Sequence, residues 1–350
     1  MENQEFSSVA YGMISLFYSF LAVTALTSNG VLVYLFLKYE QLRKTDKMLF
    51  LSIAVSDMIA AVATFPLGAI ASAHERFRLR GVTCTYYAFA STTLGFNAML
   101  HFTALSIQKY TSFSRPLRAD TKKRHLLIVI TILWLFSALW GLFPLLGWSS
   151  YAPETGNIVC SLNWTSTSKS SISYIISIFV LFFFIPLVAI CVSYSLIFKT
   201  IRSMTHNAAR TWGSDAQGTR DTFSAQVRSA RLAFMMVLAF VFAWTPYAVV
   251  SIYSALLKPK LPLIAGILPP LFAKTSTLYN PLLCFIGSPP IRKCLFKTFY
   301  RRTHNRSNSG GSFRLRVLRY HRRSLVTMTS TLKCGAADPD IADTSVPTDS

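Results

Sequence analysis

Apolar residues run along this chain in seven long, nearly unbroken stretches, at about 9–37, 48–72, 82–107, 126–148, 172–198, 231–257 and 262–286. A hydrocarbon core about 30 Å thick takes about 20 mostly apolar residues wound as a helix. Each stretch is too long for a strand, and its apolar character runs all round rather than along one face. The pattern predicts an all-α membrane protein, a bundle of seven transmembrane helices. The third stretch is the least uniform, with Thr92, Thr93, Asn97 and His101, and is expected inside the bundle. Only eight residues, without Lys or Arg, precede the first, so no cleavable signal is expected there. After the seventh, basic residues (Arg292, Lys293, Lys297) alternate with apolar ones (Ile291, Leu295, Phe296), as in a short amphipathic helix on the inner leaflet. The resulting division is an outer N-terminus at 1–8, the seven-helix domain at 9–286, the amphipathic eighth helix at 287–302 and a disordered tail at 303–350.

Composition supports the membrane reading and adds a direction. Hydrophobic residues make up 52% of the 350 and charged residues 14%, against about 25% charged in soluble domains. Yet 35 Lys and Arg face 14 Asp and Glu, a net charge of +21. So apolar a chain is a poor match to disorder or to a nucleic-acid-binding module. The segments 38–47, 108–125, 199–231 and 287–350 hold 28 of the basic residues, and the alternate segments hold 6. The positive-inside rule then puts the N-terminus outside and the C-terminus in the cytoplasm of a multi-pass plasma-membrane protein, its basic face against membrane lipid. Arg76, Arg78 and Arg80 run against this bias without reversing it.

Two groups of residues carry candidate chemistry. Cys84 and Cys160 both face the oxidising side and are a candidate disulfide pair, while Cys191, Cys284, Cys294 and Cys334 are expected as free thiols. No clustered Cys/His spacing suggests a metal. Asp57 in the second span and Lys274 in the seventh are ionisable groups set deep in apolar helices, where a charge is costly and marks function. Lys274 is either a nucleophilic amine toward a carbonyl or a structural lysine paired with an acid such as Asp57. His101 reads as a hydrogen-bonded helix contact, and Asn163-Trp164-Thr165 as a glycosylation sequon of doubtful access.

Taken together, these residues resemble a rhodopsin-type G-protein-coupled receptor, and within that family an opsin. The broad family is carried by Asn29, by Leu51-Ser52-Ile53-Ala54-Val55-Ser56-Asp57, by Cys84 and Trp134, by Pro186 and Tyr194, by Ala243-Trp244-Thr245-Pro246-Tyr247 and by Asn280-Pro281. The opsin signature is Phe272-Ala273-Lys274-Thr275-Ser276, with Gly147-Trp148-Ser149-Ser150-Tyr151-Ala152-Pro153-Glu154 before Cys160. The resemblance implies a Cys84–Cys160 disulfide and retinal, 11-cis or all-trans, held as a Schiff base on Lys274. It implies a pocket that includes Tyr87, Ser91, Gly95, Phe183, Trp244, Tyr247 and Ala273. Where visual pigments place a counterion glutamate, three residues after the span-three cysteine, this chain has Tyr87; Glu154 is the candidate counterion instead, directly or through water. Asp57, Lys109, Tyr110, Tyr194, Phe240, Pro246, Asn280 and Pro281 would form the conformational switch facing a heterotrimeric G protein, with arrestin and a receptor kinase as further partners.

The inner end departs from the family. The Asp/Glu-Arg-Tyr triad is Gln108-Lys109-Tyr110, the acid often found at the inner start of span six is Gln226, and Asn-Pro-x-x-Tyr ends in Cys284. Lysine lacks the forked guanidinium. One reading is a non-enzymatic, light-gated receptor with atypical G-protein coupling; the other is a retinal photoisomerase. The nearest groups are the non-visual neuropsin, peropsin and retinal-photoisomerase opsins, neuropsin foremost. A diffusible-ligand receptor leaves Lys274 unexplained. A transporter relaying charge through Asp57 and Lys274 predicts repeat symmetry that the chain lacks.

Overall fold

The computed structural model describes residues 7–42, 47–74, 78–114, 123–154, 158–211, 217–257 and 261–308. Arg76, Cys334 and the tail beyond 308 lie outside the described residues.

All seven expected spans are helical. α1 (Ser8–Lys38) is the first span, and the second is divided into α2 (Met48–Ala63) and α3 (Phe65–Ala73). α4 (Gly81–Ser114) and α5 (Lys123–Leu142) follow, the latter tightening into a 3₁₀ turn over Phe143–Leu146. The fifth span is α6 (Lys169–Phe179), a π-helical turn (Val180–Phe184) and α7 (Ile185–Thr211). α8 (Gln217–Leu257) is the sixth; α9 (Leu263–Lys274) and α10 (Ser276–Gly287) form the seventh. Five of these spans are long and apolar enough by themselves to cross a membrane. The third is diluted by its polar residues, and the seventh by Lys274, Asn280 and three prolines.

Proline explains most of the irregularities. It carries no N–H and crowds the carbonyl four residues back. Pro66 follows the break at Thr64, whose hydroxyl bonds back to the Ala60 carbonyl at 2.8 Å. Pro186 follows the π-helical turn at Val180–Phe184. Pro281, inside α10, withdraws the donor that the Thr277 carbonyl would have had. Asn29 of α1 replaces it, its Nδ2 donating to that carbonyl at 3.0 Å and to its own-helix Ala25 carbonyl at 3.0 Å.

α4 is the central post, packed against α2, α5, α7 and α8, as its polar residues led one to expect. His101 on it is fully satisfied: one ring nitrogen pairs with the Asn97 carbonyl (2.8 Å), the other with the Ser52 hydroxyl (2.9 Å), which also accepts from Trp134 Nε1. α11 (Pro289–Asn308) is the eighth helix and runs six residues beyond the expected end at 302. Its Ile291 and Cys294 are buried on the bundle, while Phe296 and Phe299 stand exposed.

Candidate functional site

The loop between the fourth and fifth spans folds into a short antiparallel hairpin of β1 (Tyr151–Pro153) and β2 (Cys160–Leu162), with Pro153 opposite Cys160. Cys84 at the N-terminal end of α4 is disulfide-bonded to Cys160, Cα atoms 5.4 Å apart. Closing a 76-residue separation stabilises the fold by about 4 kcal/mol in the chain-entropy model. The bond also presses the hairpin onto α4, and Tyr151 ties its other strand to α5 by donating to the Gly141 carbonyl at 2.6 Å.

Beneath the hairpin lies a cavity of about 310 Å³. α4 contributes Ser91, Gly95, Phe96 and Met99; the fifth span contributes Phe179, Phe182 and Phe183; α8 contributes Phe240, Trp244 and Tyr247. The π-helical turn places Phe182 and Phe183 on the cavity together, and Phe96 stacks on Phe182 at 4.0 Å. Glu154 enters from the hairpin and Lys274 from the last residue of α9. The backbone ladder of the seventh span is interrupted one residue later, at Thr275, whose hydroxyl bonds to the Phe272 carbonyl at 2.6 Å.

Glu154 is set by its backbone, whose N–H donates to the Val159 carbonyl at 2.9 Å, and by Tyr247, whose hydroxyl donates to Oε1 at 2.9 Å. Its Oε2 is buried with no well-formed hydrogen bond among the described residues. Burial pushes the carboxyl above its ordinary value, against the opposing pulls of the Ser161 hydroxyl, the Lys274 ammonium and Tyr247. Trp244 Nε1 donates to Ser276 at 3.2 Å, and its ring fills the space beside Gly95, where a Cβ would stand 2.8 Å away. From Trp244 an aromatic column descends through Phe240 (5.6 Å) to Phe102 (4.8 Å beyond).

Of the residues singled out in the sequence, Ser91, Gly95, Glu154, Phe183, Trp244, Tyr247 and Lys274 meet at this cavity. Tyr87 and Ala273 do not line it: both are buried, with Lys274 Nζ 5.5 Å from the Tyr87 ring centroid. Periodicity along α4 gives the face of Tyr87 but not its depth. Asp57 lies elsewhere, accepting from Asn280 Nδ2 at 2.8 Å, so the alternative pairing of Lys274 with Asp57 is absent. Asn280 and Pro281 are buried in α10, and Pro246 lies within α8 above Phe240. Toward the C-terminal end of α4 Lys109 is buried and donates to Ser229. Tyr110 packs among Phe113, Ile197 and Ala230, and the Tyr194 ring lies 4.8 Å from Phe234. Sequence reasoning missed Phe96, Phe179 and Phe182, although the Phe182-Phe183-Phe184 run ahead of Pro186 was the signal for the last.

Residues 28–283 match the family described as 7 transmembrane receptor (rhodopsin family). The chain belongs to that family of seven-transmembrane receptors. Melanopsins, peropsins and a rhodopsin are among the relatives it matches. Melanopsin-B of Xenopus laevis is 30% identical over 77% of this chain and 51% of its own length; the visual pigment-like receptor peropsin of Mus musculus is 26% identical over 87% of this chain and 89% of its own. The chain thus spans about half the length of the first of these and most of the second. In three dimensions it is similar to squid rhodopsin, with a TM-score of 0.79 and 25% identity over 89% of this chain and 94% of that one. The melanopsin and peropsin relatives agree with the expectation of a non-visual opsin, and the eight-helix arrangement with the expected receptor fold.

Proposed function

We propose that this opsin-type receptor senses light through retinal held on Lys274, and passes the signal to a heterotrimeric G protein on its cytoplasmic side. The observation that carries the reading is the Lys274 amine opening onto an aromatic-walled cavity that also holds Glu154, whose Oε2 is buried without a well-formed hydrogen bond among the described residues. A long apolar slot with few polar groups suits a polyene, and the donor set suits its aldehyde. When bound, retinal supplies the light-absorbing chain and the carbonyl carbon for the amine. Lys274 offers Nζ from the last residue of α9, beside the interruption at Thr275. Glu154 answers the positive charge at that nitrogen, and Tyr247 orients the carboxylate by donating to Oε1. The hairpin, held down at Cys84–Cys160, forms one wall of the cavity. Trp244 stands between Gly95 and Ser276, so a change in cavity shape bears directly on α8 near Pro246.

Incubation with 11-cis and all-trans retinal should give a visible pigment in the wild type and none in Lys274→Ala; equal spectra would end the proposal. Light-dependent nucleotide exchange across G-protein classes tests the signalling half. The photoisomerase reading draws on Lys109 and Cys284, which stand where the family carries Arg and Tyr. It predicts release of one retinal isomer on illumination without exchange. The orientation, N-terminus outside and basic segments inside, belongs to the same proposal, and a protease-protection assay on sealed membranes tests it. Arrestin and receptor-kinase binding follow from the receptor reading and are read out by light-dependent tail phosphorylation.

A further inference from the structure

Tyr18 belongs to a helix that turns Val9, Met13, Leu16 and Phe20 outward, yet its own side chain is fully buried. Gly68 on α3 makes the room: a Cβ there would stand 2.8 Å from the Tyr18 ring. Through that gap the ring enters the bundle and meets Phe65 at 6.3 Å between centroids. Its hydroxyl shares a 3.3 Å hydrogen bond with the hydroxyl of Tyr87 on α4, and the Lys274 nitrogen stands 5.5 Å from the centroid of that second ring. A cation within about 6 Å of an aromatic face is attracted by the ring's quadrupole, more strongly where water is excluded. The hydroxyl lies on the far end of the Tyr87 ring, so fixing it fixes where the ring centroid sits. The other titratable groups about the amine are Glu154 from the hairpin and Tyr247 from α8.

We propose that Tyr18 is a positioning residue for Lys274: by anchoring the Tyr87 hydroxyl it holds an aromatic face against the amine, and so stabilises the ammonium from the α4 side, where this chain has no carboxylate. The inference deepens the retinal reading and rests on it only for the identity of what Lys274 binds. α1 and α3 thereby become part of the site, although neither lines the cavity.

The test begins with the full-length protein free of retinal. Reductive methylation with formaldehyde and cyanoborohydride modifies only the neutral amine, and peptide mass spectrometry reads the rate at Lys274 itself. Tyr18→Phe, which keeps the ring and removes only the hydroxyl, should raise that rate about threefold at neutral pH, the equivalent of about half a pH unit for a cation–π contact of this kind. Gly68→Ala, which displaces the Tyr18 ring, should act in the same direction. Tyr87→Leu should raise the rate at least as much, and Tyr18→Phe added to it should change nothing further, as for two residues acting through one contact. In the pigment reconstituted with retinal, Tyr18→Phe should move the midpoint between visible and ultraviolet forms about half a unit lower in pH. An unchanged methylation rate in Tyr18→Phe, or effects that simply add in the double variant, would overturn the proposal. Failure of the wild type to form a pigment would sink the retinal reading instead, leaving the methylation result to decide this one.

Discussion

Lys109 Nζ on α4 donates to Ser229 Oγ on α8 across 3.0 Å, with the Phe50 ring 5.3 Å from the same nitrogen. Lys109 thus joins the third span to the sixth through a neutral hydroxyl, with an aromatic face beside it. A hydrogen bond from a charged donor contributes about 1.5–3 kcal/mol. Lys109→Met should therefore let the inner end of α8 swing out in the dark. Spin labels on the inner ends of α4 and α8 should report a longer, broader distance in Lys109→Met, and a smaller change in Ser229→Ala. Identical distributions in all three proteins would show that this contact does not restrain α8.

Glu154 makes a pH signature. Its folded-state carboxyl is held above the ordinary value of 4.5 by burial. The folded protein therefore binds this proton more tightly than the unfolded chain does. The resulting stabilisation is fully present below the ordinary carboxyl value and is lost as pH rises through the raised one. Melting of the retinal-free protein in detergent should fall on going from pH 4 to pH 7 more steeply in the wild type than in Glu154→Gln. Parallel curves would mean that Glu154 titrates as an ordinary exposed carboxylate.

Gly95 and Trp244 share one space. A methyl group at 95 would meet the indole at 2.8 Å, well inside ordinary contact. Overpacking of this kind costs about 1–3 kcal/mol unless the neighbour moves. Gly95→Ala should either lower the melting temperature or shift the indole away from Ser276; the fluorescence emission maximum of Trp244, with the other tryptophans replaced, distinguishes the two. A variant unchanged in both would mean that the indole is looser than its contacts indicate.

Asn29 bridges α1 to the carbonyl that Pro281 leaves without a donor. Asn29→Ala strips a buried carbonyl of its partner, a loss of about 1–3 kcal/mol. The melting temperature should fall, and Pro281→Ala, which returns an N–H to the same carbonyl, should recover part of it. If the double variant melts no higher than Asn29→Ala alone, the carbonyl is not the reason for the asparagine.

Much of this was legible before any coordinates. The spans follow from the length of chain that hydrocarbon demands, and the third was recognisable as central because Asn97 and His101 need partners. Lys274 stood out because a charge in that setting is expensive. What stayed hidden depended on depth and on distant neighbours. Tyr87 enters the expected pocket through the resemblance, at the position of the visual-pigment counterion, yet its buried side chain is not among those that line the cavity. Tyr18 gave no signal, since the cause of its inward turn is a missing side chain at Gly68 on another helix. Ser229 is an ordinary hydroxyl until Lys109 is brought beside it.

The interruption at Thr275 divides the seventh span into two short rods. The outer rod ends on Lys274, and the inner one carries Asn280, bonded to Asp57. A single unbroken cylinder would have to shift along its whole length to answer a push at its middle. Two rods meeting at an elbow answer by changing the angle between them. A tilt at Thr275 would carry a displacement at Lys274 to Asn280 and Asp57 without either rod sliding along its axis.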